Sequence, residues 1–300
     1  MAASFYTHVP AFLDSLKFEK RYSPHTIRSY YDDLTQFSQF LEKEFDSPAL
    51  QDISAPLVRS WLARLKEAGL TAKSINRKIS SLKSFFKHTM RMGVLGTTPM
   101  MNIVSPKASK RLPSYIEQRD MDALLHKVEF ADDLQGRTEK LIIQLFYSTG
   151  MRLSELINLQ EGQVDLHYKT VRVMGKGNKE RIIPVPEELL RQIDEYRRVK
   201  KQEMEPAGHT YLLVDKKGKK LYQKAVYLIV KKYLQQVTTL HKKSPHVLRH
   251  TFATHLANNG ADLNAVKELL GHSSLAATQI YTHNSIEKLK QIHQKAHPKS

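Results

Sequence analysis

Apolar residues recur at intervals of three and four over the first third of the chain, and this spacing predicts amphipathic helices. Each predicted helix has an N-terminal signal: Ser23 followed by a proline, then Ser54, then Thr71. Residues 4–18 have the pattern of a fourth helix. The sequence therefore predicts a helical domain over residues 1–98. The apolar stripes are Ile27, Tyr30, Tyr31, Leu34, Phe37 and Leu41; Leu57, Trp61, Leu62 and Leu65; and Ile75, Ile79, Leu82, Phe85 and Phe86.

From residue 114 the pattern changes to helices accompanied by a small sheet. Two β-branched runs, Val171–Val173 and Ile182–Val185, flank the turn-rich stretch 175–179, which predicts a hairpin. Helices are expected at about 187–200 and 223–238. We therefore expect a mainly α fold with a small β-sheet: an N-terminal helical domain followed by a C-terminal mixed α/β domain over residues 114–300.

Residues 99–113 have the composition of a linker between these domains. They contain three prolines, which favour an extended and semi-rigid chain. Lys107, Lys110 and Arg111 lie among them and are candidates to follow a phosphate backbone.

The charge balance directs attention to polyanions. The 300 residues contain 47 Lys+Arg and 30 Asp+Glu, a net charge of +17. Such an excess attracts nucleic acid, whose neutralised phosphates release condensed counterions. Both predicted domains are basic, as a protein that closes around DNA requires. A basic but otherwise ordinary enzyme is the alternative, and no segment has the amphipathic pattern of a membrane-surface helix.

The composition also excludes several classes of protein. There is no cysteine, which removes disulfides, thiolate metal sites and cysteine nucleophiles. No apolar run approaches the roughly 20 residues of a membrane span, and the N-terminus lacks the pattern of a secretory signal. These features favour a cytoplasmic location.

Basic residues also follow one face of the third predicted helix. We expect Lys73, Arg77, Lys78, Lys83 and Lys87 on its outer side. A solvated helix face and a wall that contacts DNA phosphates explain this pattern equally well.

The first cluster with potential chemistry follows Gly150, where one helix ends and another begins. Arg152 stands at the new helix start, and Glu155 lies three residues on, on the same face, where it can hold the guanidinium. Taken alone, an ordinary surface ion pair explains this better. Lys176 lies between two glycines in the predicted hairpin turn, from which its side chain can reach a groove.

The second cluster covers residues 244–283. Helical spacing places His246, Arg249 and His250 on one face. Zinc binding by two of these histidines is disfavoured, because no carboxylate or cysteine accompanies them at the spacing of known zinc motifs. Either His250 or His255 is a candidate for an interior residue with satisfied hydrogen bonds.

These residues together resemble the tyrosine recombinases of the phage integrase family, and most closely the chromosomal Xer recombinases. The family's ordered signature is Arg, Lys, His-x-x-Arg, a second His or Trp, and Tyr. The matching residues here are Arg152, Lys176, His246, Arg249, His272 and Tyr281. The resemblance extends over the whole chain, although the helical N-terminal half matches only in character and in its Ser-Pro-His-Thr-Ile helix start.

The resemblance implies a mechanism that uses neither a metal ion, nor ATP, nor another cofactor. Tyr281 is expected to attack the DNA phosphate and form a 3′-phosphotyrosine, while Lys176 protonates the 5′ leaving oxygen. His246 is expected to exchange a proton near the tyrosine. Arg152, Arg249 and His272 are expected to stabilise charge on the phosphate. Glu155 is expected to orient Arg152.

The resemblance further implies two DNA duplexes held by four protomers, as a homotetramer or with a second recombinase. A role in resolving chromosome dimers at a dif-like site, with a septal DNA translocase as a partner, follows from the Xer likeness. The alternatives are an integrase of a mobile element, a type IB topoisomerase and a DNA-binding protein with an idle active site. The tail, residues 285–300, is expected to be a helix given to a neighbouring subunit or packed on its own domain.

Overall fold

A computed structural model describes residues 4–107, 114–175, 180–204, 210–271 and 295–296. The chain divides into two compact units, Met1–Arg111 and Leu112–Ser300. The division falls within the predicted linker, of which residues 108–113 lie outside the described ranges.

The N-terminal unit is helical. The Ser23 hydroxyl accepts a hydrogen bond from the Thr26 N–H, and the Thr71 hydroxyl accepts one from the Ser74 N–H, as expected of N-caps. Ser54 also stands at an N-cap, but its side chain makes no capping bond; the helix begins there with a proline in its first turn. The helices are α1 (Val9–Asp14), α2 (Pro24–Phe45), α3 (Ala55–Glu67) and α4 (Ala72–Arg91). Short helical turns cover Phe5–His8, Ser15–Glu19 and Leu50–Asp52.

Aromatic rings form much of the core of this unit. The rings of Phe5 and Phe37 meet edge to face at 5.1 Å, and those of Phe12 and Phe85 at 5.6 Å. Tyr31 differs from the prediction: it is 36% exposed and lies at the margin of the stripe on α2. The predicted stripe was therefore one residue too wide.

The C-terminal unit surrounds a helix whose second half is apolar on almost every side. In α6 (Leu134–Thr149) the run Leu141–Ile143 and Leu145–Tyr147 is fully or almost fully buried. A helix of this composition is stable only inside a core. The other helices are α5 (Gln118–His126), α7 (Leu153–Asn158), α8 (Glu187–Glu203), α9 (Gln223–Val237), α10 (Pro245–Asn258) and α11 (Leu263–Leu270).

A three-stranded antiparallel sheet completes this unit, in the order β1 (Val164–Asp165), β2 (Thr170–Met174) and β3 (Glu180–Pro184). The strands β2 and β3 are the predicted hairpin; the short β1 was not predicted. Val171 pairs with Ile183, and Val173 pairs with Arg181. Alternation along β3 therefore directs Arg181 to the same buried face as Ile183.

None of the helices in the described ranges is long and apolar enough to cross a lipid bilayer.

Candidate active site

The site begins where α6 ends. Gly150 has a positive φ of 57°, and a Cβ at this position would lie 2.4 Å from Cδ1 of Phe252 on α10. Only glycine adopts this positive φ, and leaves the space beside Phe252 free, without strain. The chain therefore turns closely beside α10, which brings the start of α7 next to Arg249.

Arg152 and Glu155 make the contact that the sequence predicted. The Arg152 backbone N–H donates to Oε2 of Glu155 at 2.6 Å, and Nη1 of Arg152 donates to Oε1 at 2.8 Å. The first bond satisfies a donor at the start of α7, as the acidic residue of a capping box does. The second orients the guanidinium, whose side chain is 31% exposed while that of Glu155 is buried.

Arg181 is a third member that sequence reasoning missed. Its Nη1 and Nη2 atoms donate to the two Glu155 carboxylate oxygens at 2.7 and 2.8 Å, and its Nε donates to the Leu269 carbonyl at 2.8 Å. Its side chain is only 4% exposed. The available signal was its place in β3: an arginine at the inner-face position of a strand requires a buried partner.

Arg249 joins α10 to two other segments. Its Nη1 and Nη2 atoms donate to the carbonyls of Gly150 and Leu270, each at 2.6 Å. Burial, and then the charges of Arg152 and Arg181, lower the pKa of Arg249 to about 10. The guanidinium therefore stays charged at neutral pH.

The three arginines converge on the C-terminal end of α11. Arg152 donates to the Gly271 carbonyl at 2.9 Å, Arg181 binds that of Leu269, and Arg249 binds that of Leu270. The last carbonyls of a helix lack intrahelical partners and form its negative end, so cations stabilise them. These bonds fix the chain up to the residue before His272.

Glu155 balances part of this positive charge. Burial alone would raise its pKa, but bonds and charge from Arg181, followed by bonds from Arg152, lower the pKa of Glu155 to about 2. The carboxylate is therefore ionised throughout the physiological range.

The histidines of α10 occupy three different environments. His246 is exposed and His250 is partly buried, and burial lowers the pKa of His250. His255 is the satisfied interior residue: its Nε2 lies 2.9 Å from the Ile116 carbonyl and its Nδ1 lies 3.0 Å from the Tyr147 hydroxyl. Within the described ranges, no three His, Asp or Glu side chains form a group able to hold a metal ion.

The basic face predicted on α4 needs a correction. Lys78 is 3% exposed, because its ammonium binds Asp33 at 2.9 Å and also Gln36, both on α2. Arg77 is bonded to Asp33 as well, although its side chain remains half exposed. A buried carboxylate attracts the nearest cations inward, which helical periodicity alone cannot show. Lys73 and Lys107 are exposed.

The remaining predicted site residues, Lys176, His272, Tyr281, Lys110 and Arg111, lie outside the described residues. Of the tail, only residues 295–296 are described. Ala296 is buried in the core of the C-terminal unit, and Asn259 donates to its carbonyl at 2.7 Å. At this point, the tail contacts its own domain.

Comparisons with known proteins define the class of this chain. Residues 114–288 match the Phage integrase family, and residues 9–93 match the Phage integrase, N-terminal SAM-like domain. The tyrosine recombinase XerC of Staphylococcus epidermidis is 39% identical over 292 residues, 96% of each chain, and that of Staphylococcus aureus is 37% identical over 290, 97% of this chain and 96% of the relative.

Solved structures agree on the fold. The XerH site-specific recombinase bound to palindromic difH substrate aligns with a TM-score of 0.72 and 23% identity, over 94% of this chain and 83% of that one. The Tn1549 transposon integrase in complex with circular intermediate DNA aligns with a TM-score of 0.71 and 20% identity, over 93% and 97%.

The chain therefore belongs to the phage integrase family and is a tyrosine recombinase that acts on DNA. Within that family it stands close to the Xer recombinases.

Proposed function

We propose that this recombinase resolves chromosome dimers at a dif-like site before cell division. The observation that carries the strand-cleavage part of this proposal is the arginine cluster, which holds Arg152 and Arg249 beside each other at the ends of α6 and α11. The XerC relatives, with similarity over nearly the whole chain, support the dimer-resolution role.

The arginine cluster suits the stabilisation of charge on a phosphodiester. A guanidinium carries five N–H donors, and the bonds described above use two of those of Arg152 and two of those of Arg249. We assign the others to the non-bridging phosphate oxygens. Because their backbone and carboxylate partners already hold both groups, little reorganisation is needed when negative charge develops in the transition state.

The nucleophile in this proposal is Tyr281. Its phenolic oxygen forms a bond to phosphorus as the bond to the 5′ oxygen breaks, so a 3′-phosphotyrosine and a 5′ hydroxyl result. His246 exchanges the phenolic proton, Lys176 supplies a proton to the 5′ oxygen, and His272 donates to the phosphate. The phosphodiester energy is conserved, so rejoining by a partner strand's 5′ hydroxyl needs neither ATP nor a metal ion.

We assign the exposed residues Lys73 and Lys107 to contacts with the DNA backbone, together with Arg77, Lys110 and Arg111. Burial of Lys78 removes it from this set. Exchange between two duplexes requires four protomers, so we infer a tetramer on DNA, homomeric or with a second recombinase. A septal DNA translocase as activator and a cytoplasmic location belong to the same proposal.

The test is recombination of a supercoiled plasmid that carries two direct copies of a candidate dif-like site from the parent chromosome. We expect two circular products, with no metal or ATP needed by the recombinase itself, and none with Tyr281→Phe. The matched control is Tyr222→Phe, which alters a tyrosine that is 61% exposed on the surface.

Relaxation of a plasmid that lacks the site would instead identify a topoisomerase. Exchange only with the ends of a mobile element would identify an integrase. The wild type would be tested alone and together with a second recombinase and a translocase. If it bound the site tightly but gave no product in either case, dimer resolution would be contradicted.

A further inference from the structure

We propose that Arg181 is a positioning residue that ties three separate segments of the active site into one unit, an inference that depends on the proposed function. Its guanidinium binds Glu155 at the start of α7 and the Leu269 carbonyl at the end of α11, while its backbone belongs to β3.

Each of these contacts lies close in sequence to a proposed catalytic residue. Glu155 directly holds Arg152, Leu269 is three residues before His272, and Arg181 follows Lys176 by five residues in the sequence. No other side chain described at this site links the hairpin to both helices. Arg181 therefore sets the position of β3 relative to the groups that contact the phosphate.

The geometry requires an arginine. Two parallel bonds reach both carboxylate oxygens, and a third donor points to a different element, an arrangement that the planar guanidinium provides and an ammonium does not. The Arg181 side chain packs closely against the chain at Gly271: a Cβ on Gly271 would lie 3.0 Å from Cδ of Arg181. Gly271 has a positive φ of 62°, so the chain passes over the Arg181 side chain in a conformation that favours glycine.

The charges around Glu155 give this link a distinctive signature. Arg152 from α7 and Arg181 from β3 bond to the carboxylate, and Arg249 from α10 adds its charge nearby. Without Arg181, the buried carboxylate keeps Arg152 as its one bonded partner among the described residues, and its pKa rises. A variant without Arg181 should therefore become sensitive to acid in a range where the wild type is not.

The experiment compares Arg181→Met and Arg181→Lys with the wild type. The matched control is Arg172→Met, on the neighbouring strand, where an exposed arginine pairs with Glu180 at 3.2 Å. Single-turnover cleavage of nicked dif-like DNA and affinity for the same DNA are measured from pH 5.5 to 8.5. We expect cleavage by Arg181→Met to fall about 100-fold, as displacement of reacting groups does, with affinity little changed. Arg181→Lys should retain more activity, and Arg172→Met should match the wild type.

The acid sensitivity separates positioning from a general loss of structure. The Arg181→Met rate should fall more steeply than that of the wild type as the pH decreases, because protonated Glu155 releases Arg152. The double variant Arg181→Met/Glu155→Gln should lose this additional slope. Equal cleavage rates for Arg181→Met and the wild type would overturn the proposal. So would a pH slope in the double variant as steep as that of Arg181→Met.

Amide hydrogen exchange tests the link without any need for cleavage. In both Arg181 variants, exchange should accelerate together in residues 152–158 and 263–270, and in Arg172→Met in neither. Acceleration confined to β3 would refute the link. If the wild type forms no adduct with any DNA, the proposed function fails, whereas the exchange result still decides whether Arg181 connects these segments.

Discussion

Gly150 illustrates how much of this site depends on single residues. Substitution by alanine combines a positive φ with a Cβ placed 2.4 Å from Phe252. Left-handed backbone strain and overpacking of a core each cost roughly 1–3 kcal/mol. Thermal and urea unfolding of Gly150→Ala should show a loss of about 2–4 kcal/mol. Gly260→Ala is the matched control, because its φ of 86° is also positive but nothing lies within 4 Å of the added Cβ. A loss as large in the control would show that packing against α10 is unimportant.

His255 should make the stability of the protein depend on pH. Burial lowers its pKa, and its two ring nitrogens are engaged by Ile116 and Tyr147. The unfolded chain takes up this proton below about pH 6.5, whereas the folded imidazole resists it. The stability that the neutral, buried His255 contributes is therefore complete above about pH 6.5. It declines as the pH falls below that value towards the lowered pKa of His255 in the folded protein.

The melting temperature of His255→Gln should thus fall less than that of the wild type between pH 7 and pH 5. His241→Gln, which alters an exposed histidine, is the control and should keep the wild-type slope. An unchanged slope in His255→Gln would contradict a neutral buried imidazole.

At the scale of elements, α4 carries both a buried cation that is part of the core and cations that are exposed on its surface. Lys78 is buried against Asp33, and removal of one partner from a buried ion pair typically costs about 3–5 kcal/mol. Because Arg77 and Ser81 remain bonded to the carboxylate, we expect Lys78→Met to cost somewhat less, roughly 2–4 kcal/mol, in urea unfolding. Lys83→Met, at an exposed position of the same helix, should change stability by less than about 0.5 kcal/mol. Equal effects would show that the Asp33 pair contributes nothing.

The same elements show what the sequence could reveal. The stripes on α2, α3 and α4 and the hairpin β2–β3 were predictable, because burial of one face imposes a period of 3.6 or 2. The contact between Arg152 and Glu155 was predictable from helical spacing. The roles of Lys78 and Arg181 were not, because their partners lie 45 and 26 residues away in sequence. Charge pairs over such distances depend on how helices and strands pack, which local periodicity does not encode.

At the scale of the whole molecule, the net charge of +17 should appear as salt-dependent DNA binding. Each lysine that contacts a phosphate contributes about one unit to the slope of log K against log salt. Lys73→Ala and Lys107→Ala should therefore each reduce that slope by about 1, measured by fluorescence anisotropy. Lys169→Ala is the control, because this ammonium already pairs with Glu187 at 2.7 Å. Unchanged slopes in both test variants would place the DNA elsewhere.

The most direct test of phosphotyrosine chemistry is covalent trapping on nicked DNA. A nick just beyond the cleavage point lets the short fragment that carries the free 5′ hydroxyl diffuse away. Rejoining is then impossible, so the adduct accumulates. We expect a denaturation-resistant protein–DNA band in metal-free buffer, with the nucleotide mapped to Tyr281 by mass spectrometry. The band should be absent from Tyr281→Phe and weak in Arg249→Ala. An adduct on another residue, or a band of full strength in Tyr281→Phe, would contradict the assignment of the nucleophile.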